Sequence, residues 1–221
     1  MPIILSILFV IISVTSSFGQ GAWSDVVRNF GFKSGKLDVN GKVHQINLGA
    51  NLEGANLEGA DLLNVDLRRS KLKEANLKVA DLRFANFLGT NLSVARLREA
   101  KLNNAVISEA NFTGANLVEA NLTDAGAYEI ILSGADLSGA NLSGAVFCYG
   151  ILKDANLTGA NLKGTNFTDT DIRGANFTNA DLEGTNFTQA NVTGAIFTGA
   201  NVDKTIGLPY DIVFEAKNSR T

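Results

Sequence analysis

The chain has one histidine, one cysteine, one tryptophan, one methionine and two prolines in 221 residues. A single cysteine rules out an intrachain disulfide, and so little His and Cys leaves no metal-ligand spacing. Neither a phosphate-cradling glycine loop nor a nucleophile elbow is present. Nothing in the chain assembles a nucleophile, a base and an oxyanion stabiliser, so the sequence points away from an enzyme and calls for no cofactor. His44 is the only imidazole, and it stands alone. Long apolar runs are equally scarce. The one stretch of note, Ile3 to Val14, suits a signal-peptide core and is short for a membrane span of about 20 residues. Ser17 and Gly19 fall at the −3 and −1 positions for cleavage before Gln20, although no Lys or Arg precedes the run. The expectation is an exported protein (periplasm, extracellular space or thylakoid lumen) with residues 1–19 removed and no membrane span afterwards.

What the chain has in abundance is period five. "GANLEGANLEGADLL", from Gly49 to Leu63, repeats Ala-Asn/Asp-Leu every five residues. The phase runs from Leu52 to Val202 without insertion or deletion. Of these 31 central positions, 30 carry Leu, Ile, Val or Phe, and Ala127 is the exception. Two residues earlier 23 of 31 are Ala, and one residue earlier 22 of 31 are Asn or Asp. Thr or Ser, then Gly, favour the two positions that follow. A helix would smear this pattern around its circumference, because five residues advance about 500°. A strand would send alternate Leu residues to opposite faces. A coil of short sides and corners satisfies every repeat, with Leu and the preceding Ala inward and the Gly-rich position at the corner. Four sides make a twenty-residue turn that stacks on the next.

This pattern closely resembles the pentapeptide-repeat proteins, whose motif is A-(N/D)-L-x-x. The resemblance covers residues 45 to 205 and implies an all-β fold, a right-handed quadrilateral β-helix (solenoid) of about eight coils. Residues 20–44 then read as an N-terminal cap. They hold an amphipathic segment with Trp23, Val26, Val27 and Phe30 on one side, and an Asn-Gly hairpin signal in "DVNGKV". Residues 206–221 leave the phase at Ile206 and read as a short turn over the last coil followed by a polar tail.

Some members of that family mimic duplex DNA and engage DNA gyrase, a role that requires an acidic rod in the cytoplasm. This chain departs from that pattern. From Asp66 to Lys101 nine Lys or Arg face four Asp or Glu, a belt of Arg68, Arg69, Lys71, Lys73, Lys78, Arg83, Arg96, Arg98 and Lys101. From Leu102 onward six face thirteen. The dipolar rod argues against nucleic-acid mimicry. Its belt is either a solvated surface or a contact for an anionic surface.

Asp61, Asp66, Asp81, Asp136, Asp171 and Asp181 occupy the repeat's Asn/Asp slot, where the side chain can bond local backbone. They read as structural rather than catalytic. Nine N-x-S/T sequons, at Asn91, Asn111, Asn121, Asn141, Asn156, Asn166, Asn176, Asn186 and Asn191, arise automatically from the same slots. The irregular stretches are "GAYEII" and "VFCYGI", twenty residues apart. There Val106, Gly126, Val146, Ile131 and Ile151 replace Asn or Asp, and Tyr128, Cys148 and Tyr149 replace the small polar residues. Val106, Tyr128, Ile131, Val146, Cys148, Tyr149 and Ile151 therefore form a candidate partner strip. Cys148 is either a free thiol or a bridge between two copies, so a homodimer is possible alongside an unknown protein partner. The sequence favours a binding module, with a spacer rod as the alternative.

Overall fold

The computed structural model describes residues 35–39 and 42–220. The expected signal peptide (residues 1–19) and the Trp23–Phe30 segment lie outside the described residues, as does the Asn40-Gly41 pair. Two short strands open the described chain, β1 (Gly35–Val39) and β2 (Lys42–Ile46), paired antiparallel with Val39 opposite Lys42. That register matches a two-residue hairpin connection.

From residue 47 the chain winds as the sequence anticipates, into a right-handed quadrilateral β-helix. Every residue in the Asn/Asp slot bridges the one twenty positions on in parallel, from Asn51↔Lys71 to Asn186↔Ile206. We label the four sides by the slot residues of the first coil: A (Asn51), B (Asn56), C (Asp61) and D (Asp66). Each side makes the same bonds to the next coil: Leu77 N–H to Arg96 C=O at 2.7 Å, Val79 N–H to Arg98 C=O at 3.0 Å, and Arg96 N–H to Ala75 C=O at 2.9 Å. Chain groups that a lone five-residue segment would leave bare are thus paired between coils.

The corner has a physical cause. The N–H of Ala55 bonds to the C=O of Leu52 at 3.0 Å, and Gly54 between them has φ +62°. A bond from i to i+3 with positive φ at i+2 is the type II arrangement, which favours glycine. Among the described residues eighteen non-glycine residues also hold that conformation, including Val79 (φ 55°), Phe84 (58°) and Val94 (58°). The stacked ladder imposes it on them at a cost.

The interior is as narrow as the pattern requires. Central residues such as Leu57, Leu77, Leu97 and Leu117 are fully buried, and Ala fills the slot two before them. Where Thr replaces Ala, its hydroxyl is satisfied. Thr90, Thr165, Thr170 and Thr185 are buried and donate to Leu67, Leu142, Phe147 and Leu162 carbonyls at 2.6, 2.9, 3.0 and 2.7 Å. Toward the C-terminus two phenylalanine ladders face each other. Phe147, Phe167 and Phe187 stack from side D, Phe177 and Phe197 from side B, and the two meet edge-on, with Phe177 and Phe187 at 90°.

The C-terminal expectation needs correction. The ladder continues through Ile206, whose N–H bonds to Thr185 C=O at 3.0 Å. Gly207 (φ +83°) then turns the chain so tightly that a Cβ there would lie 2.7 Å from the Phe187 carbonyl carbon. A helix follows rather than a turn and a tail: α1, Tyr210–Asn218, entered after Pro209. Its Ile212, Val213 and Ala216 recur at helical spacing and pack on the last coil. Asp211 in the first turn and Lys217 in the last suit its dipole.

Candidate functional site

The strip residues come together on side D and the corner it shares with side A. Val106, Gly126 and Val146 bridge one another in successive coils, and Ile131 bridges Ile151. The Tyr128 and Tyr149 rings lie 5.1 Å apart, tilted 55°. Tyr149 is 52% exposed and Ile151 42%, so the strip presents apolar surface on a tube whose slots elsewhere hold mostly Asn or Asp. Tyr149 (φ 59°) occupies a corner position that glycine takes elsewhere. A bulky side chain is held there despite the strain, directed away from the core.

Ala127 lies at the centre of this irregularity. Its side chain is fully buried and too small for its stack. Ile130, in a slot usually held by Ala, is likewise fully buried. Its Cγ2 lies 3.2 Å from where a Cβ on Gly150 would stand. Ile130 therefore occupies space that Gly150 leaves free in the next coil, beside the shortened Ala127 position in its own repeat. The corner from Ala127 to Ile130 lacks the i to i+3 bond that the other corners make. It keeps its ladder bonds, Ala127 N–H to Val146 C=O at 2.8 Å and Glu129 N–H to Cys148 C=O at 3.0 Å. Twenty-residue register survives while the corner alone adjusts.

Cys148 is a half-buried free thiol, and burial pushes its pKa up from the ordinary value. This disfavours the thiolate and makes Cys148 a poor nucleophile. Burial likewise raises the Tyr128 phenol. No cluster of three or more metal-ligating side chains exists among the described residues. His44 lies buried on β2 opposite Leu37, and its Nε2 makes no hydrogen bond.

The basic belt encircles the rod instead of forming one face. Arg68 and Arg69 belong to side D and its corner, Lys71 and Lys73 to side A, Lys78, Arg96 and Arg98 to side B, and Arg83 and Lys101 to side C. Much of its charge is already paired. Arg68 and Arg83 each grip the aspartate two residues before them, Asp66 and Asp81, through two bonds of 2.8 and 2.6 Å. Arg98 bonds Glu99 at 3.0 Å and Glu119 at 2.8 Å. Lys73 is 3.4 Å from Glu74, and Lys78 4.0 Å from Glu58. A side-chain bond from Arg83 holds the Asp81 carboxyl below its usual range, and Arg173 does the same for Asp171. Sequence reasoning saw the cations but missed these partners. The Asp-Leu-Arg triplet was the available signal, since residues two apart on one strand side point the same way.

The slot aspartates behave as repeat structure. Asp61, Asp66, Asp81, Asp136, Asp171 and Asp181 each accept the backbone N–H two residues on, at 3.0–3.3 Å. The sequon asparagines accept the same bond, and in several the Thr or Ser hydroxyl also donates to the Asn oxygen, as Thr168 does to Asn166 at 2.6 Å. No helix among the described residues is long and apolar enough to cross a membrane.

The model of the family described as pentapeptide repeats (8 copies) matches residues 49–83, 60–98, 75–114, 90–125, 130–149, 151–189 and 175–206. The chain is a pentapeptide repeat protein. Its matches skip residues 126–129, the corner around Ala127. Solved pentapeptide repeat proteins resemble it. One is HetL of the cyanobacterium Nostoc sp. strain PCC 7120, involved in heterocyst differentiation regulation, at 30% identity and TM-score 0.49, covering 73% of this chain and 86% of that one. Another is Rfr23 of the cyanobacterium Cyanothece 51142, at 34% identity and TM-score 0.39, covering 44% and 64%. A third is a thylakoid-lumen protein of Arabidopsis thaliana, at 30% identity and TM-score 0.28, covering 55% and 71%. No curated protein sequence matches this pentapeptide repeat protein significantly.

Proposed function

We propose that this pentapeptide repeat protein is an exported, non-enzymatic module that binds a protein partner through the side D strip. The observation that carries this reading is the run of apolar substitutions in consecutive coils, ending in exposed Tyr149 and Ile151. Val, Ile and Tyr are not needed in these outward positions for folding, since Asn or Gly serves in the equivalent coils. Contiguous apolar surface on a polar tube marks a contact region, and tyrosines are typical anchors. The basic belt is the weaker candidate, because three of its five arginines, Arg68, Arg83 and Arg98, are held by carboxylates and its cations face all four sides.

The test restores the repeat pattern. A variant with Val106→Asn, Val146→Asn, Ile151→Asn and Tyr149→Gly places the commonest residue in each slot, so its thermal stability should equal or exceed that of the native chain. A partner recovered stoichiometrically with the native chain from the exported fraction of the host should be lost with the variant. Undiminished recovery would point to a spacer rod or to another surface.

A further inference from the structure

The C-terminal end of the solenoid is only partly closed. In each coil junction below it, sides A and B contribute six backbone bonds. For the last such junction these are Asn191 N–H to Thr170 C=O, Ile172 N–H to Asn191 C=O, Gly174 N–H to Thr193 C=O, Ile196 N–H to Ala175 C=O, Phe177 N–H to Ile196 C=O and Asn179 N–H to Thr198 C=O, at 2.7–3.1 Å. On the final coil, among the described residues, only one equivalent is met, Gly199 N–H, which bonds the Ser219 hydroxyl at 2.8 Å. Next to it, Arg220 Nε donates to Ala200 C=O on side C at 2.9 Å. Both substitutes stand twenty residues on, where another coil would have supplied backbone. Among the described residues the N–H groups of Val192, Gly194 and Phe197 and the carbonyls of Ala190 and Ala195 have no such partner. By ladder register Phe197 N–H would seek the carbonyl of residue 216, but Ala216 lies in α1 and its carbonyl accepts the Ser219 hydroxyl.

The space beside these groups is hollow. A cavity of about 430 Å³ lies between the coil and the helix, lined by Ala195, Ile196, Phe197, Thr198, Ile212, Glu215, Ala216 and Ser219. It falls within the size range of ligand sites. Its apolar rim includes Ile196, 47% exposed in a slot that holds Asn or Asp in the three coils below. Glu215 is its one charged lining residue, and it belongs to none of the ion pairs around α1, where Lys217 and Arg220 both turn to Asp203.

We propose that sides A and B of the last coil are a docking edge for a peptide segment with a basic side chain, which turns at the corner between them as a further coil would. The chemistry of the edge selects this occupant. Unmet N–H and C=O groups at the spacing of the coil ladder are satisfied by another backbone, as in β-strand addition. A segment that follows both sides gains those bonds, sets an apolar side chain against Ile196 and Phe197, and brings a cation to Glu215. This surface is separate from the side D strip, and the two can be tested apart.

The test uses the full chain, labelled with nitrogen-15, and the peptide Ac-Thr-Val-Lys-Val-Thr-NH₂ as probe. Titration should shift the amide signals of Val192, Gly194, Ile196 and Phe197 and slow the hydrogen exchange of Val192, Gly194 and Phe197. The same peptide N-methylated at alternate residues should give no shifts. Exchanging the peptide Lys for Glu, or making Glu215→Lys on the exposed helix surface, should weaken binding by about tenfold. Three results would overturn the proposal. The three amides could already be protected in the free monomer, or the shifts could scatter over the rod. Protection could also rise with protein concentration alone, which would give the edge to a second copy. Equal binding of the Lys and Glu peptides would overturn the assignment of a basic ligand.

Discussion

Ala127, Ile130 and Gly150 show how the narrow core balances volume residue by residue. A core tolerates little empty or surplus space. Ala127→Leu should overpack the coil and cost about 1–3 kcal/mol, and adding Ile130→Ala should recover much of the loss, because the two side chains compete for one space. Chemical denaturation of the two single variants and the double variant gives the coupling directly. Additive costs would show that the volumes are independent. By contrast, Leu117 belongs to an unbroken, fully buried column. Its truncation to Ala should cost about 2–5 kcal/mol. Thr123 on the outward side, where its hydroxyl meets Asn121 at 2.6 Å, should lose less than about 0.5 kcal/mol on change to Ala.

At the scale of the element, the unit is a five-residue side with its corner. Position i+2 takes a left-handed conformation whatever residue stands there, so the ladder overrides local preference. Val94, β-branched and 53% exposed at φ 58°, is among the residues least suited to it. Val94→Gly should therefore stabilise the protein by about 1 kcal/mol, a balance of relieved strain against added freedom in the unfolded chain. The melting temperature checks this, and a fall would show that Val94 packing outweighs its strain. The α1 helix illustrates the opposite case. Its apolar residues were visible in the sequence, but nine residues are marginal as an isolated helix. The last coil supplies the surface that makes the helix worthwhile.

Across the whole molecule, paired aspartates tie stability to pH. Side-chain bonds from Arg83 and Arg173 hold the folded-state pKa of Asp81 and Asp171 below the ordinary aspartate value. A depressed carboxyl pKa contributes stability above its unfolded value, and that contribution disappears as pH falls through the lower folded value. The melting temperature should thus decline below about pH 4, and less steeply for an Asp81→Asn, Asp171→Asn double variant. Parallel decline in both would assign acid sensitivity to other groups. The dipolar charge visible in the sequence persists along the rod, but the ion pairs within and between coils leave much less of the belt available to a partner than the count of cations suggests.

Period five with no insertion was enough to determine the coil, the inward Leu and Ala, the outward Asn and the corner. Each is a consequence of chain geometry repeated 31 times, and repetition leaves no competing solution. The grouping of Val106, Val146, Tyr149 and Ile151 was also legible, because twenty residues is one turn and stacking follows by arithmetic. Where the period stops, arithmetic stops with it. The Asp-Leu-Arg spacing allows Arg68 to reach back to Asp66, but whether it does depends on side-chain reach and free volume. The same holds for α1 and the half-open edge it leaves. Whether nine residues form a helix, and which backbone groups they leave unmet, is settled only by the surface beneath them.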